Sequence, residues 1–452
     1  MREVRIRDTL TGDLSPLEPG SEVEIYACGP TVYSRIHIGN ARPYVVFSLL
    51  ARFLAEQGYP VRLVINVTDI NDKIYDAARE AGEPSDRLAA EMTRAYVEDT
   101  DRLGLGRPDA EPLASQSIGP IVELIEALID SGHAYESGGD VYFRVRSFEG
   151  YGKLSNRDPE EMDQGEEAGT ESLKEDRLDF ALWKAQKEGE DTSWDSPWGM
   201  GRPGWHIECS AMAEAELNPP FAIHGGGSDL VFPHHENEIA QSEAARGVPL
   251  ARIWMHNGMV ETDAEKMSKS EGNIFQLSEA LDRYGREVVI DYLLSGHYRQ
   301  PLAFSAEQLD QAVARVERVR NFLREHPPGE HGSQEEDSFV TERREDFLDA
   351  LADDFKTPAA MAQGFDLVTE GNRRDLPGAP EALIEMLDIV GLASLAGAEE
   401  VPDADAERLL AEREAARAER DFERADRIRD ELARLGWEVR DTPEGARVVR
   451  SG

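Results

Sequence analysis

Residues 23–72 decide the fold, and they read VEIYACGPTVYSRIHIGNARPYVVFSLLARFLAEQGYPVRLVINVTDIND. Residues 23–28 predict a short apolar strand, and residues 41–59 have helical periodicity that ends at Gly58. Residues 60–72 predict a second strand, which is rich in β-branched residues and ends in polar ones. A strand, a helix and a strand in this order form a βαβ unit, which implies a parallel sheet.

Chemically distinctive residues fall where these two strands end. Cys28 and the loop that leads to His37 follow the first strand, and Thr68 and Asp69 close the second. Ligands of open α/β sheets bind outside the carboxyl ends of the strands. We therefore expect these four residues at one edge of the sheet. The question is what would require a thiol and an imidazole there.

Length and composition bound the class of protein. The 452 residues predict about three domains at ~150 residues each. No run of ~18 apolar residues predicts a membrane span, and the charged start MREVRIRDTL is not a secretory signal. Two cysteines cannot form a disulfide framework and favour a reducing compartment. We expect a cytoplasmic protein without a membrane partner.

Charge is the unusual feature of the composition. The chain has 49 Lys and Arg against 90 Asp and Glu, a net charge of −41. Taken alone, such a surface repels nucleic acid at long range and low salt. Much of the acid lies in runs at 158–176 and 332–338, which predict solvated loops, and a basic groove can exist inside a negative average. A salt-rich cytoplasm, where screening shortens the repulsion, is our hypothesis for the acidic excess.

Outside the βαβ unit the pattern changes along the chain. Residues 105–200 predict an insertion, with a helix at 119–133 and a hairpin at 134–145, before the sheet pattern resumes. After residue 300 the chain turns helical, with a break at 326–338 that is rich in proline, glycine and acid.

The C-terminal segment predicts a small unit of its own. A single helix is expected over about 404–435, with apolar residues spaced three and four apart and Gly436 as its C-cap. Residues 437–449 then predict a hairpin.

Four side chains form a candidate metal site. Pro233 is expected to open a helix, which would place His234 and Glu238 one turn apart on the same face. With Cys28 and Cys209 they offer two thiolates, an imidazole and a carboxylate, a set that suits tetrahedral zinc. His235 points elsewhere on the helix. Two alternatives stay open: buried thiols that act as small hydrophobes, and a His–Glu pair that is a simple salt bridge or cap.

Two short motifs bear on phosphate chemistry. HIGN, residues 37–40, follows a strand and opens a helix, so its backbone N–H groups and imidazole can meet a phosphate. KMSKS, residues 266–270, offers two lysines three residues apart on a loop bounded by serine and glycine. Each motif alone has an ordinary explanation, in which His37 caps the helix and the lysines are solvated. Both motifs in this order around a parallel sheet favour nucleotide chemistry.

The chain resembles the class I aminoacyl-tRNA synthetases, and within them the cysteinyl-tRNA synthetase family. The resemblance covers nearly the whole chain. It rests on the segments CGPTVYSRIHIGNAR, NVTDINDKI, PGWHIECSAMA, HGGGSDLVFPHHENEIAQSEA, KMSKSEGN, DDFKTPAA and DFERADRIRDEL with DTPEGARV. The class-wide signature His-Ile-Gly-His ends here in Asn40, a change that the family commonly tolerates.

The resemblance implies an α/β fold, in which a Rossmann-like parallel-sheet catalytic domain carries an inserted connective domain and is followed by a helical bundle and a small C-terminal α+β anticodon-binding module. The expected units are residues 1–104 and 201–300 for the two halves of the catalytic domain, 105–200 for the insertion, 301–403 for the bundle and 404–452 for the anticodon module.

The resemblance also implies a two-step reaction, in which cysteine and ATP give cysteinyl-adenylate and pyrophosphate, and the cysteinyl group then moves to the end of its tRNA. His37, Asn40, Lys266 and Lys269 are the expected catalytic residues, with Mg²⁺ bound to ATP. The residues expected to bind ATP are Gly29, His37, Asn40, Gly226, Gly227, Asp229 and Lys269. Those expected to bind the amino acid are Cys28, Thr31, Thr68, Trp205 and Asp229.

The resemblance implies one zinc ion per chain, and a zinc site would explain why a thiol lies at this edge of the sheet. A substrate thiol becomes a strong, soft zinc ligand, whereas the hydroxyl of serine is a poor one. A missing dedicated contact can cost ~10⁴-fold or more, so no editing domain would be needed. Trp205 would wall the pocket, and a core tryptophan is the alternative.

Other functions stay open at the level of sequence. A tRNA-independent cysteine ligase of mycothiol synthesis is a relative that lacks the C-terminal anticodon region. A non-catalytic paralogue that binds only nucleotide or zinc is a second alternative, against which the intact HIGN and KMSKS motifs argue. The expected partners are tRNA(Cys), L-cysteine and ATP, and we expect a monomer. The C-terminal arginines expected to meet tRNA are Arg424, Arg427, Arg429, Arg434, Arg440, Arg447 and Arg450.

Overall fold

The computed structural model describes residues 2–18, 22–158, 160, 172–262, 265–266, 275–329, 336–397, 404–418, 421–435, 437–442 and 445–450. Most of the predicted acidic loop at 158–176, most of the KMSKS motif, most of the acidic run at 332–338 and the predicted C-cap Gly436 lie outside these residues.

Fifteen strands are described. They are β1 (Arg5–Arg7), β2 (Leu14–Pro16), β3 (Val23–Ala27), β4 (Val61–Ile65), β5 (Ala134–Ser137), β6 (Asp140–Phe143), β7 (Phe180–Ala185), β8 (Gly201–Pro203), β9 (Phe221–Gly227), β10 (Ala251–Asn257), β11 (Val260–Thr262), β12 (Glu265–Lys266), β13 (Leu302–Phe304), β14 (Trp437–Thr442) and β15 (Gly445–Arg450).

Fourteen α-helices are described between and after them. They are α1 (Ile38–Glu56), α2 (Asp72–Ala81), α3 (Ser85–Asp101), α4 (Ile118–Asp130), α5 (Trp205–Glu216), α6 (Glu236–Arg246), α7 (Leu277–Tyr284), α8 (Arg286–Leu294), α9 (Ala306–Glu325), α10 (Ser338–Ala352), α11 (Thr357–Gly371), α12 (Ala379–Ile389), α13 (Ala404–Ala418) and α14 (Phe422–Arg434). None of these described helices is both long and apolar enough to cross a membrane.

The central sheet has the order β10–β9–β3–β4, and all three pairings are parallel. The βαβ unit predicted from residues 23–72 is therefore confirmed, with β3 and β4 as its strands and α1 as its crossover helix. The two halves of the sheet come from distant parts of the chain, since β9 and β10 follow the insertion. Cys28, Thr68 and Asp229 all follow the carboxyl end of a strand of this sheet.

Helix α1 begins three residues earlier than the periodicity predicts, at Ile38. The reason is a capping box: Asn40 N donates to His37 Nδ1, and His37 N donates to Asn40 Oδ1, both at 3.3 Å. Pro43 lies inside the helix and does not end it. The buried face of α1 packs on the sheet, and Gly225 of β9 must be a glycine because a Cβ there would lie 2.1 Å from the Phe47 ring.

The insertion carries an antiparallel sheet in the order β5–β6–β7–β8, and its last strand lies just beyond the predicted boundary at residue 200. The predicted hairpin is confirmed, because β5 and β6 pair with Ser137 opposite Asp140. The apolar residues of this sheet form a core that also includes Ile207 and Ala211 of α5 and Ala240 of α6. The insertion is thereby packed against α5 and α6, which belong to the predicted second half of the catalytic domain, residues 201–300.

The C-terminal unit departs from its prediction. A single helix over about 404–435 is wrong, because the chain forms α13 and α14 instead. The break comes at Asp421, whose backbone is not helical and whose side chain accepts a hydrogen bond from Arg424 N at 3.1 Å. The predicted hairpin is confirmed as the antiparallel pair β14–β15. A small core of Ala406, Leu409, Ile428, Leu432, Trp437 and Val448 joins the helices to the hairpin.

Candidate active site

Four side chains from separate elements meet beneath the carboxyl edge of the sheet. Cys28 follows β3, Cys209 lies on α5, His234 lies in the turn Val231–His235, and Glu238 lies on α6. All four residues are buried, and one ligand atom from each lies within 4.8 Å of the others. The predicted helix start at Pro233 is displaced, since α6 itself begins at Glu236. His234 and Glu238 are still brought together, with His234 Nε2 3.2 Å from Glu238 Oε1.

A second group shares two members with the first. Cys28 and Glu238 also lie within 4.8 Å of ring nitrogens of His224 and His235. The carboxylate of Glu238 contacts members of both groups, and its Oε1 lies 3.9 Å from His235 Nε2 as well. Its Oε1 lies 3.4 Å from Cys28 Sγ, on the side of His234, whereas its Oε2 lies 3.0 Å from His224 Nε2.

The donor atoms fit a metal ion. Within the described part of the chain, Glu238 Oε2, both ring nitrogens of His224 and His235 Nε2 are buried without a properly aligned hydrogen bond, although His224 Nε2 is 3.0 Å from Glu238 Oε2. Buried polar atoms in such a state need a partner. Two thiols, an imidazole and a carboxylate match zinc better than the set with one thiol. By donor chemistry the first group fits zinc better, although the unpaired ring nitrogens belong to the second group. In the first group, His224 lies behind the carboxylate, with its Nε2 3.0 Å from Glu238 Oε2.

Burial sets the protonation of these groups. It raises the pKa of Cys28 well above its usual range, and a hydrogen bond with Cys209 adds to the rise. The hydrogen bond to Cys28 is the largest influence on the pKa of Cys209 and lowers it, but burial together with the carboxylates of Glu238 and Glu208 makes the net change upward. Burial lowers the pKa of His234 well below its usual range. The imidazole is consequently neutral and able to ligate, whereas the thiols must release protons to do so.

Further buried histidines contact the imidazoles of His234 and His235 on the sides that face away from Glu238. His206 Nδ1 lies 2.9 Å from His234 Nδ1, which leaves Nε2 of His234 for the cluster. His235 Nδ1 lies 2.7 Å from His256 Nε2, and His256 Nδ1 lies 2.8 Å from the hydroxyl of Thr9. Burial lowers the pKa of both His206 and His256 to about 3. These rings are neutral and rigidly held.

Trp205 lies at the mouth of the cluster. Its ring centroid is 4.4 Å from that of His234, and 36% of the residue is exposed. A core tryptophan is therefore excluded. The exposed indole, at the first position of α5, can close over a small ligand that lies on the cluster.

The loops after β3 and β4 form the adjoining floor. Thr31 and Thr68 pair in a parallel bridge, and Thr68 N donates to the carbonyl oxygen of Pro30 at 3.1 Å. Gly29 crosses these loops so closely that a Cβ there would lie 1.7 Å from the carbonyl oxygen of Asn66. Gly29 is thus required by the backbone crossing itself, whatever ligand it meets.

The amino end of α1 holds His37 and Asn40 in the capping box described above. No acidic residue occurs in the first turn of this helix, so the backbone N–H groups and the helix dipole favour an anion there. Residues that precede and follow the KMSKS motif in the sequence contact this end of the helix. Ile38 N donates to the carbonyl oxygen of Phe275 at 3.1 Å, and Val260 of β11 lies against Gly39.

Of the two predicted lysines, Lys266 is placed in β12, opposite Glu261 of β11, and its side chain is not among the described atoms. Lys269 lies outside the described residues. Gly226 and Gly227 end β9 and are buried, and Asp229 follows them on the exposed turn Ser228–Leu230.

Comparisons with known proteins match both the part of the chain that contains the parallel sheet and the C-terminal unit. The model of the class I (C) tRNA synthetase catalytic domain matches residues 14–314, and the model of the cysteinyl-tRNA ligase anticodon binding domain matches residues 402–448. A cysteine–tRNA ligase of Symbiobacterium thermophilum is 46% identical over 99% of this chain and 100% of its own length. A cysteine–tRNA ligase of Halorhodospira halophila is 47% identical over 99% and 100%.

The chain belongs to the cysteine–tRNA ligase family. It is accordingly a ligase with a class I catalytic domain, as the resemblance predicted.

Solved structures agree with this fold of the family. A Mycobacterium tuberculosis methionyl-tRNA synthetase in complex with methionyl-adenylate superposes with a TM-score of 0.60 at 16% identity, covering 83% of this chain and 91% of that one. The ternary complex of Agrobacterium radiobacter K84 LeuRS with tRNA and LeuAMS gives 0.61 at 13% identity, covering 85% and 86%. The predicted α/β class with a Rossmann-like parallel sheet and a helical C-terminal part is confirmed.

Sequence reasoning missed several residues of the site in this ligase. His206 lies three residues before Cys209 on α5, so its helical spacing could have placed it beside the cluster. His224 and His256 lie within buried strands, where an isolated histidine gives no signal. Arg42 was also missed: its guanidinium donates to the carbonyl oxygens of Gly258, Gln300, His297 and Met259, at 2.6, 2.8, 3.1 and 3.3 Å.

Proposed function

We propose that this chain activates L-cysteine with ATP and then transfers the cysteinyl group to the 3′ end of tRNA(Cys). In the first step a carboxylate oxygen of cysteine attacks the α-phosphorus, and the bond to the bridging oxygen breaks as pyrophosphate leaves. In the second, a ribose hydroxyl of the tRNA attacks the carbonyl carbon and AMP leaves. The buried group of Cys28, Cys209, His234 and Glu238 carries this proposal, and its Cys28 lies on the loop that leads from β3 to the amino end of α1.

We propose that these four residues hold one zinc ion. The bound ion would supply a soft, Lewis-acidic centre that a substrate thiol can ligate and a hydroxyl ligates poorly. The chain's own residues do the rest. His206 and His224 fix the orientation of His234 and Glu238. Trp205 closes one side and excludes water, and Thr31 and Thr68 form the floor on which the amino acid lies.

The nucleotide is assigned to the edge formed by Gly29, the end of α1 and the end of β9. His37 and Asn40 would position the phosphates at the helix end, where developing negative charge is stabilised. Lys266 and Lys269 would neutralise the leaving pyrophosphate together with Mg²⁺. Gly226 and Gly227 would let the adenosine approach the backbone, and Asp229 would bind the ribose or the ammonium group of cysteine.

The same proposal assigns a role to each domain of the chain. Residues 1–104 and 201–300 would form the catalytic domain, 105–200 the connective insertion, 301–403 the bundle and 404–452 the anticodon-binding module. The match of residues 402–448 to an anticodon binding domain supports the last assignment. We propose a monomer that works in the cytoplasm.

The test is cysteine-dependent ATP–pyrophosphate exchange, followed by charging of tRNA(Cys) with the same preparation. The proposal expects both activities, with serine failing to support exchange. Exchange without charging would assign the chain to the tRNA-independent cysteine ligases. Neither activity in a folded, metal-containing protein would make it a non-catalytic paralogue.

A further inference from the structure

Asp354 is a buried carboxylate with no place in the site described above. It lies between α10 and α11 in the segment DDFKTPAA, and 1% of it is exposed. Its φ is +63°, and that of the next residue, Phe355, is +47°. Two consecutive side-chain-bearing residues in the left-handed region are uncommon, and a bulky residue there is strained. The surrounding contacts must hold this turn in place.

Those contacts come from the catalytic half of the chain. Asp354 Oδ1 accepts hydrogen bonds from Tyr298 Oη at 2.7 Å and from Arg7 N at 3.0 Å. Asp354 Oδ2 accepts from Arg299 Nε at 2.9 Å. The backbone N–H of Asp354 donates to the carbonyl oxygen of Arg5 at 2.8 Å. One carboxylate thus binds a turn of the helical bundle to β1 and to the segment that precedes β13.

The segment before β13 leads directly to the KMSKS motif. Tyr298 accepts a backbone hydrogen bond from Gly258 N at 2.7 Å, close to the start of β11. Strand β13 pairs with β11, and β11 pairs with β12, which contains Lys266. A shift of the 297–300 segment therefore displaces the strand that carries this lysine.

The same segment also supports the amino end of α1. The guanidinium of Arg42, one turn after the HIGN motif, donates to the carbonyl oxygens of His297 and Gln300 at 3.1 and 2.8 Å. Arg42 is fully buried, so these carbonyls are fixed partners rather than solvent-exposed contacts. Both signature motifs are therefore connected to Asp354 through residues 297–300.

We propose that Asp354 is a positioning residue for the adenylation step: by fixing residues 297–300 it holds the β11–β12 strands and the start of α1 in register with each other. The inference rests on the proposed function. It assigns Asp354 no contact with substrate. The amino-acid site depends on other elements, so loss of the carboxylate should reduce turnover and leave cysteine binding in place.

The expected effect follows from geometry. Misplacing a catalytic group by about 1 Å can cost about 10²-fold in rate. Asp354→Asn keeps a residue that tolerates the left-handed backbone but removes the charge opposite Arg299. Asp354→Gly removes the carboxylate and relieves the backbone strain together. Tyr298→Phe removes one hydrogen bond and leaves the packing.

The experiment measures ATP–pyrophosphate exchange by full-length, metal-containing protein, with rates divided by the number of active sites titrated as bound adenylate. Asp354→Asn and Asp354→Gly should lower kcat about 10- to 100-fold with KM for cysteine within about twofold of the parent. Tyr298→Phe should give a smaller loss in kcat with the same unchanged KM. The matched control is Asp353→Asn, the partly exposed neighbour that pairs with Arg5 at 3.1 Å, which should behave like the parent.

Parental kcat per active site in both Asp354 variants, even with a lowered melting temperature, would overturn the inference and leave Asp354 a structural contact only. A rise in KM for cysteine at unchanged kcat would overturn it as well. If Asp354→Gly does not fold, Asp354→Asn and Tyr298→Phe decide the question. A parent that shows no cysteine-dependent exchange would instead contradict the proposed function.

Discussion

The buried cluster of Cys28, Cys209, His234 and Glu238, which we propose to hold zinc, and the C-terminal unit are built in opposite ways. The cluster draws Cys28, Cys209, His234 and Glu238 from distant points of the chain and buries every one of them. The C-terminal unit is one contiguous stretch, residues 404–450, which contains eleven arginines and thirteen acidic residues. Its net charge of −2 contrasts with −41 for the whole chain. A small thiol requires enclosure, whereas a polyanion requires a surface that does not repel it.

The largest effect should come from breaking the enclosed region. Cys209→Ala should lose the bound metal and lower kcat/KM for cysteine by about 10⁴-fold, because the dedicated contact with the thiol is gone. Metal analysis and pyrophosphate exchange measure both. Ser242→Ala, a buried change one turn beyond Glu238 on α6, is the control and should keep metal and activity. If Cys209→Ala retains a full equivalent of metal, the ligand assignment is wrong.

Lys269→Ala should slow adenylate formation and leave the four proposed metal ligands unchanged. The lysine of KMSKS is proposed to follow charge onto pyrophosphate, and losing such a contact lowers the exchange rate about 10²- to 10³-fold. Cysteine binding and metal content should stay at parental values. Parental exchange rates in this variant would remove Lys269 from the mechanism.

Removal of residues 404–452 should separate the two regions. Charging of tRNA should fall about 10²-fold in kcat/KM, because each lost nucleic-acid contact is worth about 1–3 kcal/mol. Cysteine-dependent exchange should persist, since the C-terminal core of Ala406, Leu432 and Trp437 is separate from the catalytic core. Equal charging by the truncated and full-length proteins would refute the anticodon role, whereas equal loss of both activities would indicate a folding defect.

The smallest effect should come from a single exposed arginine of α14. Arg427→Gln should weaken tRNA binding less than about 10-fold and reduce the slope of log affinity against log salt by about one. Arg408→Gln on α13 is the matched control, because Arg408 is already paired with Glu412 at 2.8 Å. Identical salt slopes for parent and Arg427→Gln would show that this side of α14 does not meet phosphate.

The comparison also shows what sequence can and cannot predict. Periodicity and the order of elements were enough for the parallel βαβ unit and for the side of the sheet that carries Cys28 and Thr68. Local capping sets the bounds that periodicity alone misses. The HIGN motif predicted a helix start at which His37 could be the cap, and this is confirmed, whereas the division of the C-terminal helix at Asp421 was not predicted.

Tertiary packing accounts for the rest. The carbonyls around Arg42 come from more than 200 residues away along the chain, as in the contact of Arg42 with Gly258 at a separation of 216. The histidine pairs at the cluster are closer in sequence but lie on different elements, as in His206 with His234 at a separation of 28. No local pattern encodes such contacts. Residue types and spacing therefore predicted four members of the cluster but not the imidazoles that support them.

The proposed recognition of cysteine by zinc is tested most directly by X-ray absorption at the zinc edge of the full-length protein, with and without cysteine. We expect two sulfur ligands at about 2.3 Å in the free protein, from Cys28 and Cys209, and a third when cysteine is added. Serine at the same concentration should leave the count at two. A single sulfur in the free protein, as the alternative group with His224 and His235 would give, or a count that cysteine does not change, would contradict this proposal.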